Sequence, residues 1–142
     1  RILASDLSTK ALAAAREGVY KLSAVQSLPK DVLKRFFERG MGEQSGLARV
    51  KAEVRRDIVF RHLNLLEIGD LGERFDAIFC RNVMIYFDQP TRDRLVKRFS
   101  ALLPEGGCLC IGHSESIRAG AAPVRLVSRT IYRKSEGAGN AR

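Results

Sequence analysis

The chain has 142 residues, of which 45% are hydrophobic, 29% charged and 7% aromatic, with no Trp. That is one domain's length on the usual scale of about 100–200 residues, and the apolar content excludes a disordered or low-complexity protein. Lys and Arg number 25 against 16 Asp and Glu, a net charge of +9, which suits an acidic partner (nucleic acid, anionic lipid or an acidic protein surface) or serves solubility alone.

No apolar run reaches the ~18 residues of a membrane span, and no signal-peptide pattern is present. The chain opens on Arg1 within an apolar run, so it reads as a segment of something longer. Residues 1–6 predict a short buried strand ending in Asp6. Ser8 or Thr9 caps an Ala-rich helix over about 9–17, closed by Gly18. Pro29 suits the first turn of a helix over about 29–36. Gly40-Met41-Gly42-Glu43-Gln44-Ser45-Gly46 predicts a turn. Leu47–Val54 and Asp57–Leu63 alternate apolar and polar residues and predict two paired strands separated at Arg55-Arg56.

Phe75–Cys80 is a nearly unbroken apolar run, the pattern of a strand buried on both faces, and Phe60, Phe75 and Phe79 read as core. Asp88 caps a helix over about 89–103, with Leu95, Val96, Phe99, Leu102 and Leu103 at helical spacing. Cys108–Gly112 predicts a further buried strand, and Val124–Ser128 with Thr130–Lys134 a closing antiparallel pair. Residues 135–142 read as a flexible tail or linker. The three cysteines are odd in number and lie in apolar runs, which fits reduced, buried thiols rather than disulfides, and their spacing offers no metal site.

Strands alternating with helices predict an α/β protein with a mostly parallel sheet. In such sheets ligands bind beyond the carboxyl ends of the strands, which selects three places. Asp6 either accepts the two hydroxyls of a ribose or caps the following helix. Asn64 offers a donor and an acceptor that suit an adenine edge, with Leu65 as an apolar face, or else is a turn residue before core leucines. Arg81 and Asn82 end the buried run, and Tyr86 follows four residues later. Polar groups placed there cost desolvation unless they meet a ligand or one another.

Ile78-Phe79-Cys80-Arg81-Asn82-Val83-Met84-Ile85-Tyr86-Phe87-Asp88, followed by Gly112-His113-Ser114-Glu115, resembles the chemotaxis receptor methyltransferases, the CheR family. Tyr20-Lys21-Leu22-Ser23, Arg39-Gly40-Met41-Gly42 and Asn64-Leu65-Leu66 fit the same family in the same order, so the likeness covers about residues 2–134. It implies a partial class I S-adenosylmethionine-dependent methyltransferase domain over 1–134, with the first strand of the sheet missing. A small antiparallel β-subdomain is implied at about 37–56. The implied reaction transfers a methyl group from S-adenosylmethionine to glutamate side chains of methyl-accepting chemotaxis receptors, leaving S-adenosylhomocysteine. Asp6, Asn64, Leu65, Arg81 and Asn82 are implied to contact the cofactor, and Tyr86 to lie near the transferable methyl. Arg81 either orients the cofactor or steers the incoming carboxylate.

A glutamate carboxylate is already a nucleophile at neutral pH, so alignment and loss of water suffice, and no proton transfer is needed. His113 and Glu115 are therefore expected to be structural. Arg49, Lys51, Arg55 and Arg56 either attract an acidic C-terminal receptor peptide added to a sheet edge, or form a solvated ribbon. The expected setting is the cytoplasm, without membrane insertion or nucleic acid. The segment alone is expected to be inactive or nearly so, and prone to self-associate or swap. The competing reading is a basic, non-catalytic module for an acidic peptide or nucleic acid. Nucleic-acid binding favours basic residues interleaved with exposed aromatics.

Overall fold

Short-range signals place most elements where the sequence predicts them, in two units, Arg1–Asn64 and from Leu65 onward. A computed structural model of the chain describes residues 1–69 and 71–135. Of the expected tail, residues 136–142 lie outside the described residues.

The first unit begins with strand β1 (Ile2–Asp6) and helix α1 (Thr9–Glu17). Ser8 is extended and its hydroxyl accepts from Ala11 N at 3.2 Å, satisfying one of the helix's unpaired N–H groups. Gly18 ends the helix in the left-handed region at φ 63°, donating to Ala14 O. Strand β2 (Val19–Lys21), short helices α2 (Leu22–Val25) and α3 (Lys30–Phe36), strands β3 (Phe37–Arg39) and β4 (Leu47–Val50), helix α4 (Ala52–Arg55) and strand β5 (Ile58–His62) follow.

The pairing of these strands corrects the expected hairpin. The segment Leu47–Val54 is strand only as far as Val50, and Ala52–Arg55 forms a helical turn. Over four residues the apolar spacing of a helical turn and of a strand overlap, so Val54 reads equally well in either. β5 does not pair with β4. It runs parallel to β1, with Ile2 opposite Ile58 and Asp6 opposite His62. β4 instead lies at the centre of an antiparallel sheet ordered β2-β4-β3, which recruits Val19–Lys21 from outside the 37–56 segment.

The second unit holds β6 (Ala77–Cys80), α5 (Gln89–Leu102), β7 (Cys108–Ile111), β8 (Val124–Ser128) and β9 (Ile131–Lys134), in the sheet order β6-β7-β9-β8. β6 and β7 are parallel; β9 runs antiparallel to β7 and β8. The chain is thus mixed α/β, as the sequence predicts, but the expected mostly parallel sheet is not found: among the described residues the strands form three sheets with two parallel and four antiparallel pairings. Asp88 accepts from Thr91 N at 3.0 Å and Pro90 sits in the first turn, fixing the start of α5. Its buried stripe of Leu95, Val96 and Phe99 joins Leu103, Leu109, Ile111 and Met84 in the core. Each such side chain contributes on the order of 1.5–3 kcal/mol on burial.

Two strands are less buried than their apolar composition predicts. β1 and β6 each have one strand neighbour among the described residues. Ile2 is 57% and Phe79 74% exposed, so neither strand is buried on both faces and Phe79 is not core. An apolar run reports what a strand can bury, not which neighbours its sheet supplies. Cys80 is buried while Cys108 and Cys110 are half-buried, all three as free thiols. No helix of the described residues is long and apolar enough to cross a membrane.

Candidate active site

The parallel pair β1/β5 brings two of the predicted residues to one edge of the first unit. Asp6 closes β1, and Asn64 lies two residues beyond β5. The two strand ends are tied together by Leu63 N donating to Asp6 O at 3.2 Å. Asp6 is exposed, and its Oδ1 accepts from Ser8 N at 2.7 Å. The helix-capping reading of Asp6 thus passes to its neighbour Ser8. Asp6 organises the turn into α1, while Ser8 makes the helix cap itself.

In the second unit the carboxyl end of β6 carries Arg81 and Asn82, both exposed. Asn82 adopts φ 59°, the only left-handed non-glycine residue among those described. Asn tolerates this region better than other side chains, because its short amide bonds locally. The chain then makes a 3-10 turn over Met84–Tyr86. Met84 is buried and anchors the turn, whereas Tyr86 stands 80% exposed and is no core residue. Leu65 opens another 3-10 turn, Leu65–Glu67, in this unit.

Beneath Asn82 lie two residues that motif reading undervalues. Glu115 is 9% exposed, and its carboxylate accepts from Gly112 N at 2.5 Å, Val83 N at 3.0 Å, Asn82 N at 3.1 Å and Ile85 N at 3.2 Å. Burial pushes its carboxyl up, but the N–H groups of Gly112, Asn82 and Ile85 outweigh that and hold it below the usual carboxylate range. A Cβ on Gly112 would stand 2.7 Å from Glu115 Oε2 and 2.9 Å from Asn82 N, so only glycine fits. The one visible signal is a Gly and a Glu three residues apart, directly after a buried strand. Burial and the neighbouring Glu115 charge push the Cys80 thiol up to about 11.

The four basic residues of the small subdomain are mostly engaged. Arg49, on the central strand β4, donates to Glu17 O at 3.3 Å, and Lys51 to Lys34 O at 3.1 Å. Arg55 donates to Val50 O at 3.0 Å and Arg16 O at 3.4 Å. Arg56 lies 3.9 Å from Asp57 across an exposed ion pair of little energetic weight. Arg55 and Arg56 also line an open cavity of about 410 Å³ with Arg16, Ala52, Ile58 and Phe60. They sit in and after α4, not on a hairpin ribbon, and the sheet's outer strands are β2 and β3.

The residues present fit an adenosyl-methionine ligand by chemistry. Asp6 is an exposed acid at a strand's carboxyl end, Asn64 pairs a donor with an acceptor, and Leu65 is apolar. A model of the family described as CheR methyltransferase, SAM binding domain, matches residues 1–133. The chemotaxis protein methyltransferase 2 of Pseudomonas aeruginosa is 47% identical over 133 residues, 93% of this chain and 48% of that protein. The chemotaxis protein methyltransferase of Salmonella typhimurium is 42% identical over 137 residues, 96% of this chain and 48% of its own length. That of Escherichia coli is 41% identical over 137 residues, again 96% of this chain and 48% of its own length. The chain therefore spans about half the length of the curated relatives it matches.

Proposed function

Because the chain belongs to the CheR methyltransferase family, matching its S-adenosylmethionine-binding domain, we propose that it serves a cytoplasmic enzyme that methylates glutamate side chains of chemoreceptors. The observation that carries the reading is the placement of Asp6 and Asn64 at the carboxyl ends of one parallel pair, and of Arg81 and Asn82 at the carboxyl end of a strand in another. In open α/β sheets the carboxyl ends of parallel strands are where ligands bind, and each unit presents such an end by itself.

Each residue takes the task its chemistry allows. Asp6, whose Oδ1 accepts from Ser8 N, would hold the ribose hydroxyls through its other oxygen, Asn64 would read the adenine edge, and Leu65 would offer the ring an apolar face. Asn82, fixed in its left-handed turn, would offer its amide to the amino-acid end of the ligand. Tyr86, exposed at the end of its turn, walls the transfer position. Arg81 carries a guanidinium suited to a carboxylate, either the ligand's or the substrate's. S-adenosylmethionine, when bound, supplies a methyl on a sulfonium, whose C–S electron pair leaves with sulfur as a glutamate oxygen forms the C–O bond. No residue needs to accept or give a proton. Rate comes from alignment and from excluding water around the carboxylate. With β1 and β6 each having one strand neighbour among the described residues, the 142-residue chain is a weak binder of the ligand by itself, and the activity resides in the full-length natural protein. In that protein Arg49, Lys51, Arg55 and Arg56 lend positive charge to a face that attracts an acidic receptor segment.

The test is calorimetric titration of S-adenosylhomocysteine into the full-length natural protein, followed by transfer of a labelled methyl to a chemoreceptor's cytoplasmic part. Binding that is lost on Asp6→Ala or Asn82→Ala, with label released as methanol by mild base, is the expected result. Base-stable label would refute the ester. Absence of binding, with salt-dependent DNA retention instead, would favour the non-catalytic basic module.

A further inference from the structure

Glu115 belongs to no helix or strand, yet its carboxylate meets four backbone N–H groups from two separate strand ends. Three of them, on Asn82, Val83 and Ile85, belong to the segment that leaves β6. The fourth, on Gly112, directly follows β7. That segment has an unusual path: left-handed at Asn82, then Val83 at φ −115° and ψ −44°, then one 3-10 turn. The first N–H groups of such a turn have no partner within it. Left unsatisfied where they are partly shielded from water, they would oppose this path.

An ionised carboxylate offers about four acceptor positions. Glu115 spends them on backbone donors and has none left for a ligand or a substrate proton. Its influence on chemistry therefore runs through the segment it holds.

We propose that Glu115 is a positioning residue for methyl transfer: by collecting the N–H groups of Asn82, Val83, Ile85 and Gly112 it fixes the turn that aims Asn82 and Tyr86 at the ligand. The inference rests on the cofactor-site reading of Asn82 given above. Glutamine at this position keeps the size but replaces an acceptor by an NH2 facing N–H donors. Aspartate keeps the charge but is one methylene too short to reach both strand ends.

The experiment uses the full-length natural protein and six variants: Glu115→Gln, Glu115→Asp, Asn82→Ala, the Glu115→Gln/Asn82→Ala double variant, Asp6→Ala, and Leu103→Val as a control. Leu103 is fully buried in the same unit and makes no part of the site. S-adenosylhomocysteine affinity is measured by calorimetry, with thermal melting alongside. The expected result is a loss of affinity of at least tenfold in Glu115→Gln, against less than twofold in Leu103→Val at a comparable loss of melting temperature. In the double variant the two losses do not add, because one acts through the other. Glu115→Asp recovers part of the affinity and serves as the test if the glutamine variant does not fold. Wild-type affinity in both Glu115 variants overturns the proposal, as does additivity with Asn82→Ala. If instead Asn82→Ala and Asp6→Ala leave affinity intact, the cofactor-site reading itself has failed, a different result.

Discussion

Gly112→Ala tests whether the close approach beneath Asn82 is real. The new Cβ would lie 2.7 Å from Glu115 Oε2 and 2.9 Å from Asn82 N. An exposed lysine tip could swing away from such a contact. These atoms cannot, because Oε2 is held by the N–H groups of Gly112 and Asn82, and Asn82 N is backbone. Relief requires the segment after β6 to move away from β7. Overpacking of this kind costs about 1–3 kcal/mol, and weakening one or two of the hydrogen bonds adds roughly 0.5–1.5 kcal/mol each. We expect a total of about 2–4 kcal/mol, equivalent to a drop of roughly 6–15 °C in Tm for a domain of this size. Gly69→Ala is the control: a Cβ there meets nothing within 4 Å, so the change should stay within about 0.5 kcal/mol. Urea melts at constant m-value would separate lost stability from a changed denatured state. A Gly112→Ala variant melting within 2 °C of the parent would show that the glycine is not required and that the Glu115 cluster is looser than described.

Three further outcomes follow from single residues. Cys80, with its thiol raised from 9.0 to about 11, should carry about 100-fold less thiolate than an ordinary cysteine at pH 8 and be modified last of the three by a thiol reagent; equal rates for all three would contradict its burial. Asn82→Gly should change stability by less than about 1 kcal/mol, since glycine accepts the left-handed turn freely, whereas Asn82→Val should cost about 1–2 kcal/mol; equal melting of the two would remove the backbone argument, and S-adenosylhomocysteine affinity should fall in both. Asp88→Ala removes the cap of α5, so the variant should melt below the parent at neutral pH. The hydrogen bond to Thr91 holds the Asp88 carboxyl below its ordinary 3.8. A folded-state value below the unfolded one means stability that is full above the unfolded value and lost as pH falls through the folded one, so the gap should close below pH 4. A gap that persists unchanged at pH 2 would refute the cap's role.

What the sequence could express locally, it expressed well. Ser8 and Gly18 bound α1, and Asp88 with Pro90 starts α5, because caps act within three or four residues of themselves. Partner choice was not legible. β4 and β5 are consecutive strands and alternate polarity as hairpin arms do, yet one joins an antiparallel sheet and the other pairs with β1, more than fifty residues upstream. The apolar pattern carries no label for the partner, and a four-residue helical turn at Ala52–Arg55 mimics strand alternation. Phe79 shows the same gap from another side. Its neighbours in sequence are core-like, but the exposure of a strand residue depends on what lies across its edge and face.

The two carboxylates at strand ends show why residue type alone could not assign the site. Asp6 and Glu115 each follow or close an apolar run, and each accepts backbone N–H groups. Asp6 receives one, from Ser8, and stays exposed. Glu115 receives four and is buried. A carboxylate that is to hold a ligand must keep both an acceptor and a path to solvent, whereas one whose acceptors are all taken can only shape its surroundings. Three of the four donors that decide between these roles lie 30 to 33 residues from Glu115 in the chain, and they meet it beside Gly112 where β6 and β7 pair in parallel. The glutamate was visible in the sequence from the start; its task follows from a strand register that no short motif encodes.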